Sequence, residues 1–354
     1  MCHHPGFYLR QKLEEAEMSQ KELSSRIGVS EKLISLVNGG DRNISASLAR
    51  KLGYVFENAN FWLNKQAEYD AEQQKKADEH NIEKIEIDIL KELKIITPYF
   101  FEKKWIHNNC GDIEKVLQYR EFLQVSNLTL IPQVTYNAAY RAQVTKNINI
   151  NPYVLFAWQR MCEKEVENYS VASSLNINKL EQSIPEIKSL MALDINSISK
   201  NLVRIFRDCG IVFKIVKNFR GAPVQGFIKA LSDKLLLCIT LRGKNADRFW
   251  FTLFHEIAHI VNGDYNKRFV DFDSVSNVQE EKADEWARDH LIDPVAYKSF
   301  IFESEPTDLE ELSEFAKKNN VPAFIVIGRL QKDKYLEYSD FQNQIRQYEF
   351  EDIK

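Results

Sequence analysis

The chain has 354 residues, 44% of them hydrophobic and 28% charged, with a net charge of −4 and a pI near 6.1. This is ordinary composition for two or three globular domains; it excludes a generally polybasic binder, and no apolar run is long enough to span a bilayer. Five scattered cysteines, Cys2, Cys110, Cys162, Cys209 and Cys238, make neither a disulfide framework nor a CxxC pair. With no signal peptide evident, a reducing cytoplasm is the expected setting.

The first predicted elements lie at the N-terminus. Ser19 with Glu22 three residues on makes a capping box, Gly28 supplies a tight turn, and Ser30 can cap a second helix ending at Asn38-Gly39-Gly40. Leu23, Ile27, Val29, Ile34 and Val37 then form a small core, the arrangement of a helix-turn-helix. That leaves Ser30, Glu31, Lys32, Ser35 and Asn38 expected to face a major groove. Residues 1–66 hold nine Lys/Arg against seven Asp/Glu. Non-specific DNA affinity is therefore expected to be low, and tight binding to need a homodimer on a paired double-stranded operator.

The run SQKELSSRIGVSEKLISLVNGGDRNIS, together with His4-Pro5-Gly6, Ala49-Arg50-Lys51-Leu52 and Phe61-Trp62-Leu63-Asn64, resembles the HigA-type antitoxins of the Xre/Cro superfamily. The resemblance covers Met1 to about Ala71. It implies a DNA-facing set of Gln20, Ser30, Lys32, Ser35 and Asn38.

Downstream, residues 71–83 (AEQQKKADEHNIE) are strongly polar and read as a helical or flexible linker. Ile85 to Val125 and Tyr140 to Tyr169 carry apolar residues at helical period, with Trp105 and Phe122 as packing anchors. Ile211–Val216 and Leu235–Leu241 read as strands. By resemblance to zincin-like folds, carried by the HExxH stretch that follows it, the second is expected to be an edge strand that pairs with an extended substrate.

The most informative stretch follows. His255-Glu256-Ile257-Ala258-His259 is an HExxH sequence inside an otherwise apolar run from Phe249 to Val261. On a helix, i and i+4 share a face, so both imidazoles can reach one metal ion with Glu256 beside them. Such a pair suits zinc, with the carboxylate positioned to take a proton from water. The apolar neighbours argue that the helix is buried, and two buried imidazoles with a carboxylate are costly without a compensating ion. A third ligand is expected on a later helix. Glu280-Glu281-Lys282-Ala283-Asp284 begins 280 − 259 = 21 residues on. Glu280 fits as ligand, Asp284 as the acceptor for the outer N–H of a ligand His, and Glu281 competes for the ligand role.

Arg248-Phe249-Trp250-Phe251-Thr252-Leu253-Phe254-His255-Glu256-Ile257-Ala258-His259, then Glu280-x-x-Ala283-Asp284-x-Trp286-Ala287 and Leu291-Ile292-Asp293-Pro294, resembles the ImmA/IrrE metallopeptidases. Characterised members cleave a helix-turn-helix repressor. The resemblance covers about Asn201 to Leu330 and implies His255, His259 and Glu280 as zinc ligands and Glu256 as general base. Asp293 stands where the family usually has Met. Lys282 replaces a common second Glu, which favours Glu280 over Glu281. Tyr265, Arg268, His290 and Tyr297 are candidates for stabilising an oxyanion by sequence proximity alone. Leu309–Asn319 and VPAFIVIGRLQ read as two closing helices.

The expected architecture is mostly α with a small β-sheet. A helix-turn-helix domain (1–72), a helical linker region (73–145) and a zincin-like metallopeptidase domain (146–300) precede a C-terminal helical segment (301–354). The expected function is a DNA-binding regulator fused to a zinc endopeptidase that cleaves a repressor or antitoxin, including itself. The alternative is a DNA-binding antitoxin that neutralises a partner toxin through a metal-binding domain that cleaves nothing.

Overall fold

A computed structural model describes residues 3–135, 150–169, 171, 174–231, 234–263, 265, 277–303 and 307–350. The described chain is mostly helical with one small sheet, an α+β fold. It divides into two compact units, Met1–Lys84 with Asp112–Leu117, and Ile85–Gly111 with Gln118–Lys354. No helix among the described residues is long and apolar enough to cross a membrane.

The first unit contains α1 (Pro5–Glu15), α2 (Gln20–Ile27), α3 (Glu31–Gly39), α4 (Ala46–Leu52) and α5 (Ala59–His80). Local chemistry sets their ends. Pro5 occupies the first turn of α1, where its missing N–H costs nothing, and His4 Nδ1 accepts from the Gly6 amide at 3.0 Å. Ser19, Ser30 and Ser45 each accept the amide three residues on, at 3.1 to 3.2 Å. Between α2 and α3, Gly28 takes φ 61, a left-handed turn that glycine adopts at little cost. Leu9, Leu23, Ile34, Val37, Leu48, Leu52 and Trp62 close the core.

Of the two readings of residues 71–83, the helical one holds through His80, because α5 continues that far. Ala, Glu, Gln and Lys are strong helix formers, and i,i+4 pairs such as Glu72–Lys76 at 3.2 Å and Gln74–Asp78 at 2.9 Å support the exposed turns.

One expectation fails in α3. Ser30, Lys32 and Ser35 are exposed, but Asn38 is buried, at 5% exposure. Asn38 lies four residues after Ile34 and therefore shares the inward face. Gly6 of α1 also closes on this turn so tightly that a Cβ there would lie 1.8 Å from the Val37 carbonyl oxygen. The Asn38 amide Nδ2 and Oδ1 are buried with no hydrogen-bond partner among the described residues.

In the second unit, α6 (Lys84–Glu92), α7 (Thr97–Glu102), α8 (Asp112–Leu123), α9 (Ile131–Thr135) and α10 (Pro152–Glu165) come first. Residues 112–117 of α8 group with the first unit. The expected anchors meet as a stacked Trp105–Phe122 pair, 5.5 Å between centroids. Glu86 is fully buried, held by Arg120 and by the Leu128 amide at 2.9 Å. Tyr140 and the rest of 136–149 lie outside the described residues.

Next come α11 (Ile177–Gln182), α12 (Ile184–Ser189) and α13 (Ile195–Asp208), then β1 (Ile211–Val216), β2 (Gly226–Ala230) and β3 (Leu235–Thr240). After the sheet follow α14 (Ala246–Val261), α15 (Asn277–Leu291), α16 (Pro294–Glu303), α17 (Leu309–Lys318) and α18 (Ala323–Lys332). The strand order is β1-β3-β2, with β1 parallel and β2 antiparallel to β3.

This order corrects the expectation that the strand before HExxH lies at the sheet edge, since β3 is central. All six of its residues are buried, so both of its faces are covered, which a continuous apolar run demands. The edge beside α14 is β2, which sequence reading had not identified as a strand. Ile325, Val326 and Leu330 of α18 pack inward as expected.

Replacing Asn38 by Leu should raise the thermal midpoint, because it removes an unsatisfied buried amide at similar volume. The expected gain is about 1 kcal/mol or more, read by calorimetry of the full chain; a lowered midpoint would show that the amide is satisfied in solution.

Candidate metal centre and nucleic-acid interface

α14 is the central helix of its unit. Phe249, Trp250, Leu253, Phe254, Ile257, Ala258 and Ile260 are at most 3% exposed, so nearly its whole circumference is covered. Trp250 Nε1 donates to the Tyr348 hydroxyl at 3.1 Å, satisfying the one polar group of that ring. Within this apolar sleeve sit His255, Glu256 and His259, exposed by 2%, 0% and 0%.

The two imidazoles, one turn apart, face each other with Nε2 atoms 2.9 Å apart. α15 lies against α14 and brings in the third group. Glu280 Oε2 is 3.4 Å from His255 Nε2, and its Oε1 is 3.5 Å from His259 Nε2. One atom from each of His255, His259 and Glu280 lies within 4.8 Å of the others, a grouping that could hold a metal ion. Two imidazoles and a carboxylate are a donor set that zinc accepts.

Asp284, one turn after Glu280, puts Oδ1 2.8 Å from His255 Nδ1. Ala283 and Ala287 are buried in the same helix and take up little room. Glu281 is exposed, so the helix turns the competing carboxylate away.

Two close approaches on this helix were not evident from the sequence. A Cβ on Gly226 of β2 would lie 2.4 Å from Glu256 Oε1 and 2.5 Å from its Cγ, so the strand backbone lies directly against the buried carboxylate. A glycine opening an apolar strand is the signal that could have revealed it. Likewise, a Cβ on Gly328 of α18 would lie 2.5 Å from Asp247 Oδ2. Asp247, in the first turn of α14, is 6% exposed, and burial pushes its carboxyl above the ordinary value.

Of the oxyanion candidates, Tyr297 donates its hydroxyl to Asp333 Oδ2 at 2.9 Å, and burial raises the phenol further. His290 is stacked on Trp286 at 3.6 Å between centroids, Tyr265 is half-buried, and Arg268 lies outside the described residues.

On the helix-turn-helix, Ser30, Lys32 and Ser35 form one exposed patch at the head of α3, and Gln20 is half-buried at the start of α2. The Ser30 hydroxyl is engaged as a cap by the Leu33 amide, and Asn38 does not join the patch.

No family model matches the chain. Virulence-associated protein A′ of Dichelobacter nodosus is 35% identical over 72 residues, which make up 20% of this chain. The chain spans 63% of that relative's length. The similarity lies in the N-terminal region. Among solved structures, the Pseudomonas aeruginosa antitoxin HigA with the higBA promoter is 34% identical; the match covers 24% of this chain and 98% of that one, with a TM-score of 0.22.

Gly226→Ala should destabilise the second unit by about 1–3 kcal/mol, the usual cost of overpacking, because the fully buried Glu256 has nowhere to retreat. A thermal midpoint equal to wild type would show that the strand yields instead.

Proposed function

We propose that this chain is a DNA-binding regulator carrying a zinc-dependent endopeptidase. The observation that carries the reading is the convergence within 4.8 Å of His255 and His259, buried on an otherwise apolar helix, and Glu280 of the neighbouring helix, with Glu256 next to His255 in the chain. His255, His259 and Glu280 would hold the ion, which when bound supplies Lewis-acid polarisation of an oxygen ligand. Asp284 Oδ1, 2.8 Å from His255 Nδ1, is close enough for a proton on that nitrogen to be held toward it, which would favour the tautomer whose Nε2 is unprotonated. Glu256 takes a proton from the attacking water on a carboxylate oxygen and returns it to the departing amine nitrogen. Glu256 is completely buried, with the Gly226 backbone lying close against it.

Since β2 is the edge strand nearest Glu256, an extended peptide would pair with β2, not with β3. At the other end of the chain, Ser30, Lys32 and Ser35, with Gln20, would meet operator DNA, the α2–Gly28–α3 arrangement being that of a helix-turn-helix. A near-neutral head of this kind favours a homodimer on a paired site. The substrate class we assign is a repressor or antitoxin, a second copy of this chain included. Because α5 is helical through His80, a cut within residues 71–80 would first require local unwinding.

Elemental mass spectrometry of the purified chain should find about one zinc per molecule, lost or strongly reduced in Glu280→Ala. A zinc-supplied wild type without metal would overturn the metal assignment. In cells, Glu256→Gln should retain zinc and DNA binding while processing of the protein substrate falls by about a hundredfold or more. Processing at the wild-type rate would remove the endopeptidase reading.

A further inference from the structure

Beside the ligand grouping lies a cavity of about 250 Å³ formed by the first turns of α14, the middle of α15 and the C-terminal half of α18. Its lining is unusually cationic. Arg248 of α14, Arg288 of α15 and Arg329 and Lys332 of α18 all border it, against the two carboxyls of Asp247 and Asp284.

Neither carboxyl forms a close ion pair with Arg248, Arg288 or Lys332, although the Arg248 charge partly offsets the effect of burial on Asp247. Asp284 is turned to His255 Nδ1 at 2.8 Å, and Asp247 is buried beneath Gly328 with Oδ1 lacking a hydrogen-bond partner among the described residues. Of the cations, Arg329 pairs through Nε with Asp333 and lies over the Tyr297 ring, 4.6 Å from its centroid. Arg248, Arg288 and Lys332 form no ion pair with a described carboxylate, and Arg288 Nε is buried without a hydrogen-bond partner among the described residues.

Gathering guanidinium groups in one partly enclosed space is unfavourable unless an anion shares it. Their planar N–H forks match the two oxygens of a carboxylate or phosphate. We propose that this cavity binds an anionic group, a carboxylate or a phosphate, between Arg248, Arg288 and Lys332, immediately beside the His255–Asp284 pair. The group comes either from a free small anion or from an acidic side chain of a bound peptide. Because His255 and Asp284 form part of the wall, the occupant sits next to the proposed metal ligands, yet the site stands whether or not they hold an ion.

The test is isothermal titration of the full chain at constant ionic strength, first with inorganic phosphate and then with N-acetylglutamate amide. Constant ionic strength removes general screening as an explanation. Saturable one-site binding of at least one probe is expected. Arg248→Gln and Lys332→Gln, both exposed at the cavity rim, should each weaken it roughly tenfold or more with the thermal midpoint unchanged. Binding of phosphate alone assigns a free small anion; binding of the glutamate derivative alone assigns an acidic side chain of a peptide. No saturable binding of either probe, or binding unchanged in both variants, overturns the site.

Discussion

The second unit is organised around one electrostatic problem. Two imidazoles and a carboxylate lie almost wholly out of water on a helix whose other faces are covered by Phe, Trp, Leu and Ile. Burying such groups without partners costs several kcal/mol each, so the neighbouring elements must satisfy them. α15 brings Glu280 and Asp284 beside the two rings, and Gly226 of β2, lacking a side chain, lets the strand lie directly against Glu256. Much of the local architecture follows from this one requirement.

The same requirement links packing to chemistry. Small residues at 283 and 287 leave room for α15 beside α14. Rigid packing around Trp250 and Phe254 holds the His-bearing turn in place, with Trp250 anchored to Tyr348. A grouping of candidate ligands on two packed helices is better defined than one on loops, the property a metal centre would need. Lined by Arg248, Arg288 and Lys332, the adjoining cavity adds a field of opposite sign on the outer side of His255. An anion and a cation would thus occupy neighbouring places on two sides of one imidazole.

The helix-turn-helix unit is simpler. Its helix ends are written in serine caps and a left-handed glycine, and its core in a handful of Leu, Ile and Val residues. One α3 residue expected to face DNA, Asn38, lies instead on the inward face. Its helical phase with Ile34 and Val37 puts it inside. Periodicity was the sounder guide. In the middle of the chain, the edge position implied by resemblance to zincin-like folds gives way to a central one for β3, whose residues are buried on both faces.

What the sequence determined by itself is therefore what depends on short-range spacing. The two histidines fall on one face because a helix repeats every 3.6 residues, Glu280 and Asp284 share a face for the same reason, and the caps follow from single side chains reaching the amide two or three residues on. Tertiary structure alone decided which strand forms the edge beside Glu256, that Gly226 lies tight against Glu256, that Glu281 faces solvent, and that Arg248, Arg288 and Lys332 border one cavity. Those features join residues dozens of positions apart, and spacing along the chain carries no information about distances set by how helices and strands pack.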